Sequence, residues 1–186
     1  MNRMKTNNIF SVKNKNIILT GASRGIGFYL LKELKNNGAN ILGLARSKKL
    51  GSRNLEKNYN SCDINEYEKF KNICFNFSKK FGKIDVLINN AGISLENKKD
   101  IDGIKNFEKT INTNLVSVFK CCFATSKFMA INSSIINISS IAALMGFSDN
   151  PGYISSKGGL NSLTNSLAFD LAKKKIRVNS IMPGYI

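Results

Sequence analysis

The sequence predicts a doubly wound α/β fold: a parallel sheet with helices on both faces. Three observations carry that prediction. Short apolar runs alternate with helix-period segments from Ile17 to Ile181. The runs are apolar at nearly every position, the pattern of strands buried on both faces. The first run, residues 17–20, passes through glycines at 21, 25 and 27 directly into a helical pattern. A strand, tight turn and helix of this kind can cradle a phosphate on free N–H groups at the positive end of the helix dipole. Right-handed crossovers then wind the chain into one sheet, whose ligands lie beyond the carboxyl ends of the strands.

The elements follow in order. Gly21 supplies the turn, Gly25 allows close backbone approach to a pyrophosphate, and Gly27 allows the helix to lie close. That helix shows apolar Ile26, Tyr29, Leu30 and Leu34 and stops near Gly38. Residues 40–44 form the second strand. Residues 50–57 have room for one helical turn at most, and 59–62 form a short third strand ending at Asp63. A helix over 65–80 is capped by Asn65, carries Tyr67, Phe70, Ile73, Cys74 and Phe77 at helical spacing, and is stopped by Gly82. Residues 84–88 are the fourth strand. A long helix spans 104–130, with Phe107, Ile111, Leu115, Val118, Phe119 and Cys122 on one side. Residues 134–138 are the fifth strand, 153–174 a further helix, and 176–181 the sixth strand.

The 186 residues, 42% hydrophobic, suffice for one domain with a sizeable core. Residues 1–12 read as an N-terminal extension and 13–186 as the domain. The formal charge is +16, from 28 Lys and Arg against 12 Asp and Glu. The basic residues are spread along the chain, with no aromatic-and-basic platform and no zinc-ligand spacing. They read as a solvated surface favouring anionic ligands, and no nucleic-acid partner is expected. No apolar run reaches the length of a membrane span, and residues 1–15 lack the apolar core of a signal peptide. A cytoplasmic protein with no membrane partner is the expectation. The absence of histidine excludes a Ser-His-Asp triad, a Cys-His pair and His-ligated metal, and no metal site is expected. Cys62, Cys74, Cys121 and Cys122 show no Cys-x2-Cys spacing and read as reduced core residues.

Tyr153 and Lys157 are four apart and share one helix face. A free tyrosine titrates near ~10, and a lysine cation close by favours the phenolate. Ser140, thirteen residues upstream at the end of the fifth strand, can orient a substrate oxygen toward the tyrosine. This makes a proton donor without histidine.

The ordered set Thr20-Gly-Ala-Ser-Arg-Gly-Ile-Gly27, Asn89-Asn-Ala-Gly92, Asn114, Ser140, Tyr153-x3-Lys157 and Pro183-Gly184 resembles the short-chain dehydrogenase/reductase family. The nearest look is to 3-oxoacyl-[acyl-carrier-protein] reductases. The resemblance covers the chain from about Lys13 onward. It implies six of the usual seven strands of a Rossmann fold. It also implies hydride transfer between a nicotinamide cofactor and a carbonyl or alcohol substrate. By that resemblance Tyr153 is the general acid or base, Lys157 bonds the nicotinamide ribose, Ser140 holds the carbonyl, and Asn114 anchors a water relay. Gly21, Ser23, Arg24, Gly25, Ile26 and Gly27 form the pyrophosphate turn. Asp63 and Ile64 flank the adenine, Asn90, Ala91 and Gly92 line the adenosine side, and Pro183 and Gly184 contact the nicotinamide.

An acid at the end of the second strand would bond the ribose hydroxyls of NAD, whereas an arginine accommodates the 2′-phosphate of NADP. Arg46 stands there, with Arg24 as a second cation, so NADP is expected over NAD. The resemblance further implies a homo-oligomer through the helices at 104–130 and 153–174. The family's substrate flap and last strand have no counterpart in these residues, which implies a C-terminally truncated member. The alternative to an active reductase is a non-catalytic nucleotide-binding or interaction protein. Met145, Phe147 and Tyr185 are expected to border the substrate pocket.

Overall fold

The computed structural model describes residues 10–95 and 103–185. Six strands form one all-parallel sheet in the order β3-β2-β1-β4-β5-β6. They are β1 (Asn16–Thr20), β2 (Asn40–Ala45), β3 (Tyr59–Ser61), β4 (Ile84–Asn89), β5 (Met129–Ile138) and β6 (Arg177–Ile181). The chain begins at the centre, winds outward to β3, and returns through β4 to β6. The reversal falls between β1 and β4, so the carboxyl ends of these two strands open a crevice.

Alternation along the strands fills two cores. Ile18, Leu87 and Ile135 face α2 (Tyr67–Phe81), α4 (Ser117–Thr125) and α5 (Pro151–Ala172), where they meet Phe70, Val118 and Leu160. Ile17, Leu19 and Ile88 face the other way, against Leu31 of α1 (Gly25–Asn36) and Leu55 of the 3₁₀ turn Arg53–Asn58. Burying an apolar side chain of this size contributes about 1.5–3 kcal/mol. A polar seam crosses the first core: Asn89 Nδ2 donates to Asn137 Oδ1 at 2.9 Å, and Asn137 Nδ2 to Thr164 Oγ1 at 2.9 Å. It joins β4, β5 and α5 just below their functional ends. All four cysteines are buried thiols, and burial raises Cys62 to about 11 and Cys74 and Cys122 to about 12.

Several expectations are corrected. The long helix does not run from 104 to 130. Its described part is α3 (Gly103–Ile111), a π-helical turn (Asn112–Val116) and α4, which ends at Thr125. Phe128 then turns back, its carbonyl accepting from the Ile84 N–H, so Met129 pairs with Ile84 as strand. The strand bulges at Asn132, which has φ 65° and donates its N–H to the Lys175 carbonyl. Met129 and Ala130 suit a helix as well as a strand, and Asn-Ser-Ser hid the bulge.

Asn65 is not the cap of α2. Glu66 precedes the helix, and the Asn65 side chain is bonded elsewhere. In α1 the buried face is Gly27 and Leu31, while Ile26 and Tyr29 are exposed. Phe119 and Phe107 are likewise exposed rather than core. Pro151, not Tyr153, opens α5, in the first turn where its missing N–H costs nothing. Among the described residues no helix is long and apolar enough to cross a membrane.

Candidate active site

The glycine turn is built by close approach. Gly21 has φ +68°, and a Cβ there would lie 2.7 Å from Ala91 Cα. A Cβ on Gly27 would lie 2.1 Å from the Gly21 carbonyl oxygen and 2.5 Å from Asn90 Nδ2. Gly27 therefore lets the helix start sit on the turn itself. Thr20 Oγ1 accepts the N–H groups of Asn90 and Ala91, each at 3.1 Å. Asn90 Nδ2 in turn donates to the carbonyls of Thr20 and Gly21 at 3.2 and 3.0 Å. The ends of β1 and β4 are thus fastened to each other, and the first N–H groups of α1 have no partner within the helix.

A cleft of about 710 Å³ opens over this turn. Gly21, Ser23, Arg24, Gly25 and Ile26 form one wall. Arg46 stands beyond β2, Asp63 and Ile64 beyond β3, and Asn90, Ala91 and Gly92 beyond β4. Both arginines are exposed at the rim. Asp63 Oδ1 is occupied by the backbone N–H and Nδ2 of Asn65, at 3.0 and 2.7 Å.

Ile26, Asn90, Gly92 and Ile93 also line a second cavity of about 710 Å³, so the two are halves of one cleft. The second half brings together Ser140, Tyr153, Lys157, Pro183 and Gly184. Ser140 precedes the 3₁₀ turn Ile141–Ala143, and its Oγ accepts the Ala142 N–H at 3.1 Å, leaving its own hydrogen to donate. The Ile141 N–H donates to the Pro183 carbonyl at 3.1 Å and the Ser139 N–H to that of Ile181 at 2.7 Å, which fixes the 183–184 segment beside Ser140. Lys157 is 5% exposed, and its Nζ donates to the Ile138 carbonyl at 2.7 Å and lies 5.6 Å from the centre of the Tyr153 ring. Burial lowers its pKa to about 8, so it is still a cation at neutral pH.

Two of the expected catalytic and cofactor-binding residues do not line the cleft. Gly27 lies beneath the turn, and Asn114 is fully buried behind the wall. Asn114 Oδ1 accepts the Ile93 N–H at 2.8 Å, and its Nδ2 donates to the Ile93 carbonyl at 2.8 Å and Ser156 Oγ at 3.0 Å. A Cβ on Gly92 would lie 3.4 Å from Asn114 Oδ1 and 3.6 Å from Lys157 Nζ, so the two groups flank that glycine. Phe147 and Tyr185 line the second half, but Met145 does not. Ser47, Asn65, Ile93 and Thr113 line the first half without having been singled out for it. Ser47 follows Arg46 directly and was legible as a neighbour; Thr113 reaches the cleft only through the π turn, which leaves no periodic mark.

The chain matches the sequence model of the short chain dehydrogenase family over residues 15–186. It is 34% identical over 182 residues to a 3-oxoacyl-[acyl-carrier-protein] reductase FabG of Chlamydia pneumoniae, an alignment covering 92% of this chain and 73% of that protein. It is also 34% identical over 185 residues to a 3alpha-hydroxysteroid dehydrogenase of Mediterraneibacter gnavus, covering 93% and 74%. Among solved structures, a short chain dehydrogenase from Burkholderia cenocepacia in complex with NADP superposes with a TM-score of 0.83 at 26% identity, covering 94% and 75%. The ligand-free aldohexose dehydrogenase of Thermoplasma acidophilum does so at 0.82 and 29%, covering 93% and 67%. Sequence match, strand order and superposition agree, and the chain belongs to the short chain dehydrogenase family.

Proposed function

We propose that the protein is an NADP-dependent oxidoreductase that interconverts a carbonyl and an alcohol. One observation carries the reading: Ser140, Tyr153 and Lys157 line a cavity that shares Ile26, Asn90, Gly92 and Ile93 with the cleft over the glycine turn. The residues fit a dinucleotide. A Cβ-free cradle at Gly21 and Gly27, the free N–H groups of α1 and two rim arginines would hold its phosphates. Asp63 and Ile64 would flank the adenine, and Pro183 and Gly184 the nicotinamide. Arg46 and Arg24 favour a 2′-phosphate, and Asp63, the sole carboxylate of that half among the described residues, is engaged with Asn65. The Burkholderia relative was solved with NADP.

The bound nicotinamide supplies the hydride in reduction and accepts it in oxidation. The chain's own groups handle position and the proton. Ser140 Oγ–H donates to the carbonyl oxygen and aims it at Tyr153. The Tyr153 hydroxyl gives that oxygen its proton in reduction and takes it back in oxidation. Lys157 spends one of its three N–H donors on Ile138 and keeps two for the ribose and for the phenolate left by proton transfer. Asn114, beside Lys157 across Gly92, would anchor a water that extends the proton path beyond Lys157.

The substrate side is bordered by Phe147, Ala142 and Tyr185, with no carboxylate or guanidinium among the described residues. That suits an uncharged reacting segment. The exposed Phe119 and Phe123 on α4, stacked with centres 6.2 Å apart, and the exposed Phe169 on α5 support a homo-oligomer through these helices.

Tyr153→Phe tests the reading. The expected result is a loss of NADPH-dependent reduction of an acetoacetyl thioester by about a thousandfold, with NADPH affinity kept within a few-fold. Unchanged turnover would remove Tyr153 as the acid. Affinity without turnover in the unmutated chain would favour the non-catalytic alternative.

A further inference from the structure

A polar chain outside the reactions just described runs from the cleft wall to the helix that carries Asn114. Asn65 Oδ1 accepts two hydrogen bonds, from Asn112 Nδ2 at 2.9 Å and from Ser117 Oγ at 2.7 Å. Asn112 is the first residue of the π turn, and Ser117 is the first residue after it. In an α-helix, residues five apart are rotated by about 140° around the axis and do not face a common acceptor. The wider turn brings these two onto one side. π turns inside α-helices are rare and frequently lie at functional sites.

The acceptor itself is fixed. The Asn65 backbone N–H and Nδ2 both donate to Asp63 Oδ1. A flipped amide would set its oxygen against that carboxylate and its NH2 against the Asn112 donor, so the orientation follows from the partners. On the opposite side of the same turn, Asn114 grips Ile93 through two hydrogen bonds and reaches Ser156 through a third. The turn is therefore held from two sides, by Asn65 at its ends and by Asn114 at its middle.

We propose that Asn65 is a positioning residue for the reaction. By tying both ends of the π turn to Asp63 at the cleft wall, it holds Asn114 against Ile93 and beside Lys157. The proposal rests on Asn114 belonging to the catalytic group, as read above.

The test compares the unmutated chain with Asn65→Ala, Asn112→Ala and Asn114→Ala. Three quantities are measured: exchange of the Ile93 amide proton by NMR, kcat for reduction of an acetoacetyl thioester, and NADPH affinity. The Ile93 N–H is bonded to Asn114 Oδ1, so its exchange reports where that side chain sits and needs no turnover. Asn65→Ala is expected to speed this exchange by about tenfold or more and to lower kcat by about tenfold. Because Asn65 and its partner Asp63 line the cofactor half, kcat is read at saturating NADPH, and the KM for the thioester should stay within about threefold. Asn112→Ala alters an exposed side chain and removes one donor of the two. It should move both readouts the same way by a smaller factor, even if Asn65→Ala does not fold. Unchanged Ile93 exchange in these variants overturns the clamp, whatever the activity. Faster exchange, with kcat lowered in Asn114→Ala but not in Asn65→Ala, overturns the part given to Asn65. Faster exchange with kcat unmoved in Asn114→Ala as well overturns the reading of Asn114, and with it any catalytic use of the clamp.

Discussion

Replacing Lys157 by methionine is expected to stabilise the fold while abolishing turnover. The side chain is 5% exposed, and burial lowers its pKa from an ordinary 10.5 to about 8. At ~1.4 kcal/mol per tenfold change in proton affinity, the buried cation costs the folded state about 3 kcal/mol at neutral pH. The sign follows from proton binding. Between about 8 and 10.5 the unfolded chain holds a proton that the folded chain has released. The penalty is therefore full below about 8 and fades as pH rises toward 10.5. Methionine keeps the apolar body of the side chain but leaves the Ile138 carbonyl without its 2.7 Å partner, a loss of about 1 kcal/mol. The net gain is about 2 kcal/mol at neutral pH, or roughly 4–8 °C in Tm for a chain of this length. Near pH ~10 it should fall to about zero. Thermal melts of both chains across this range, without nucleotide, make the measurement. The buried thiols and Tyr59, whose raised pKa values push stability the other way with pH, are common to both chains and cancel. A variant that melts below the parent at neutral pH, by an amount that does not change with pH, would refute the reasoning.

Gly27→Ala places a methyl group 2.1 Å from the Gly21 carbonyl oxygen, a backbone atom that cannot swing aside. A cost of about 1–3 kcal/mol in urea unfolding is expected, with weakened NADPH binding. Arg46→Asp should lower kcat/KM for NADPH by about tenfold to a hundredfold and bring NADH level with it or ahead; unchanged preference in steady-state kinetics would move the 2′-phosphate site elsewhere. Phe123→Glu breaks the stacked pair on α4 and should shift the sedimentation mass toward the monomer, and a mass already monomeric in the parent would count against association there.

The central part of the fold was legible because its signals are local. Gly21 is needed for a positive φ, and Gly27 for a contact no side chain permits, so their spacing announced the turn. Buried strands announced themselves through Ile17–Leu19 and Ile84–Ile88, where apolar residues crowd both faces. What escaped is tertiary. Asn65 looked like a cap because it precedes a helix, yet two donors from a helix 47 and 52 residues away claim its oxygen. The π turn shifts the helix face by one residue, so Phe119 reads as core by spacing and lies exposed instead. In α1, Leu31 won the core over Tyr29 because the close start set by Gly27 rotates the helix against the sheet. Of the candidate site, the residues lying at strand ends line one cleft, whereas Asn114 sits buried behind its wall.

The buried thiols make the molecule its own recorder of motion. Alkylation needs a thiolate and a path for the reagent, and burial withholds both from Cys62, Cys74, Cys121 and Cys122. The rate at which a maleimide consumes each sulfur therefore counts how often that part of the interior opens, not how reactive the sulfur is. Cys62 borders the glycine-turn half of the cleft, and Cys121 lies on the buried face of α4, in the core. A ligand seated in the cleft would slow the first clock at concentrations that leave the second ticking as before, and the ratio of the two rates would separate closure of the site from tightening of the whole fold.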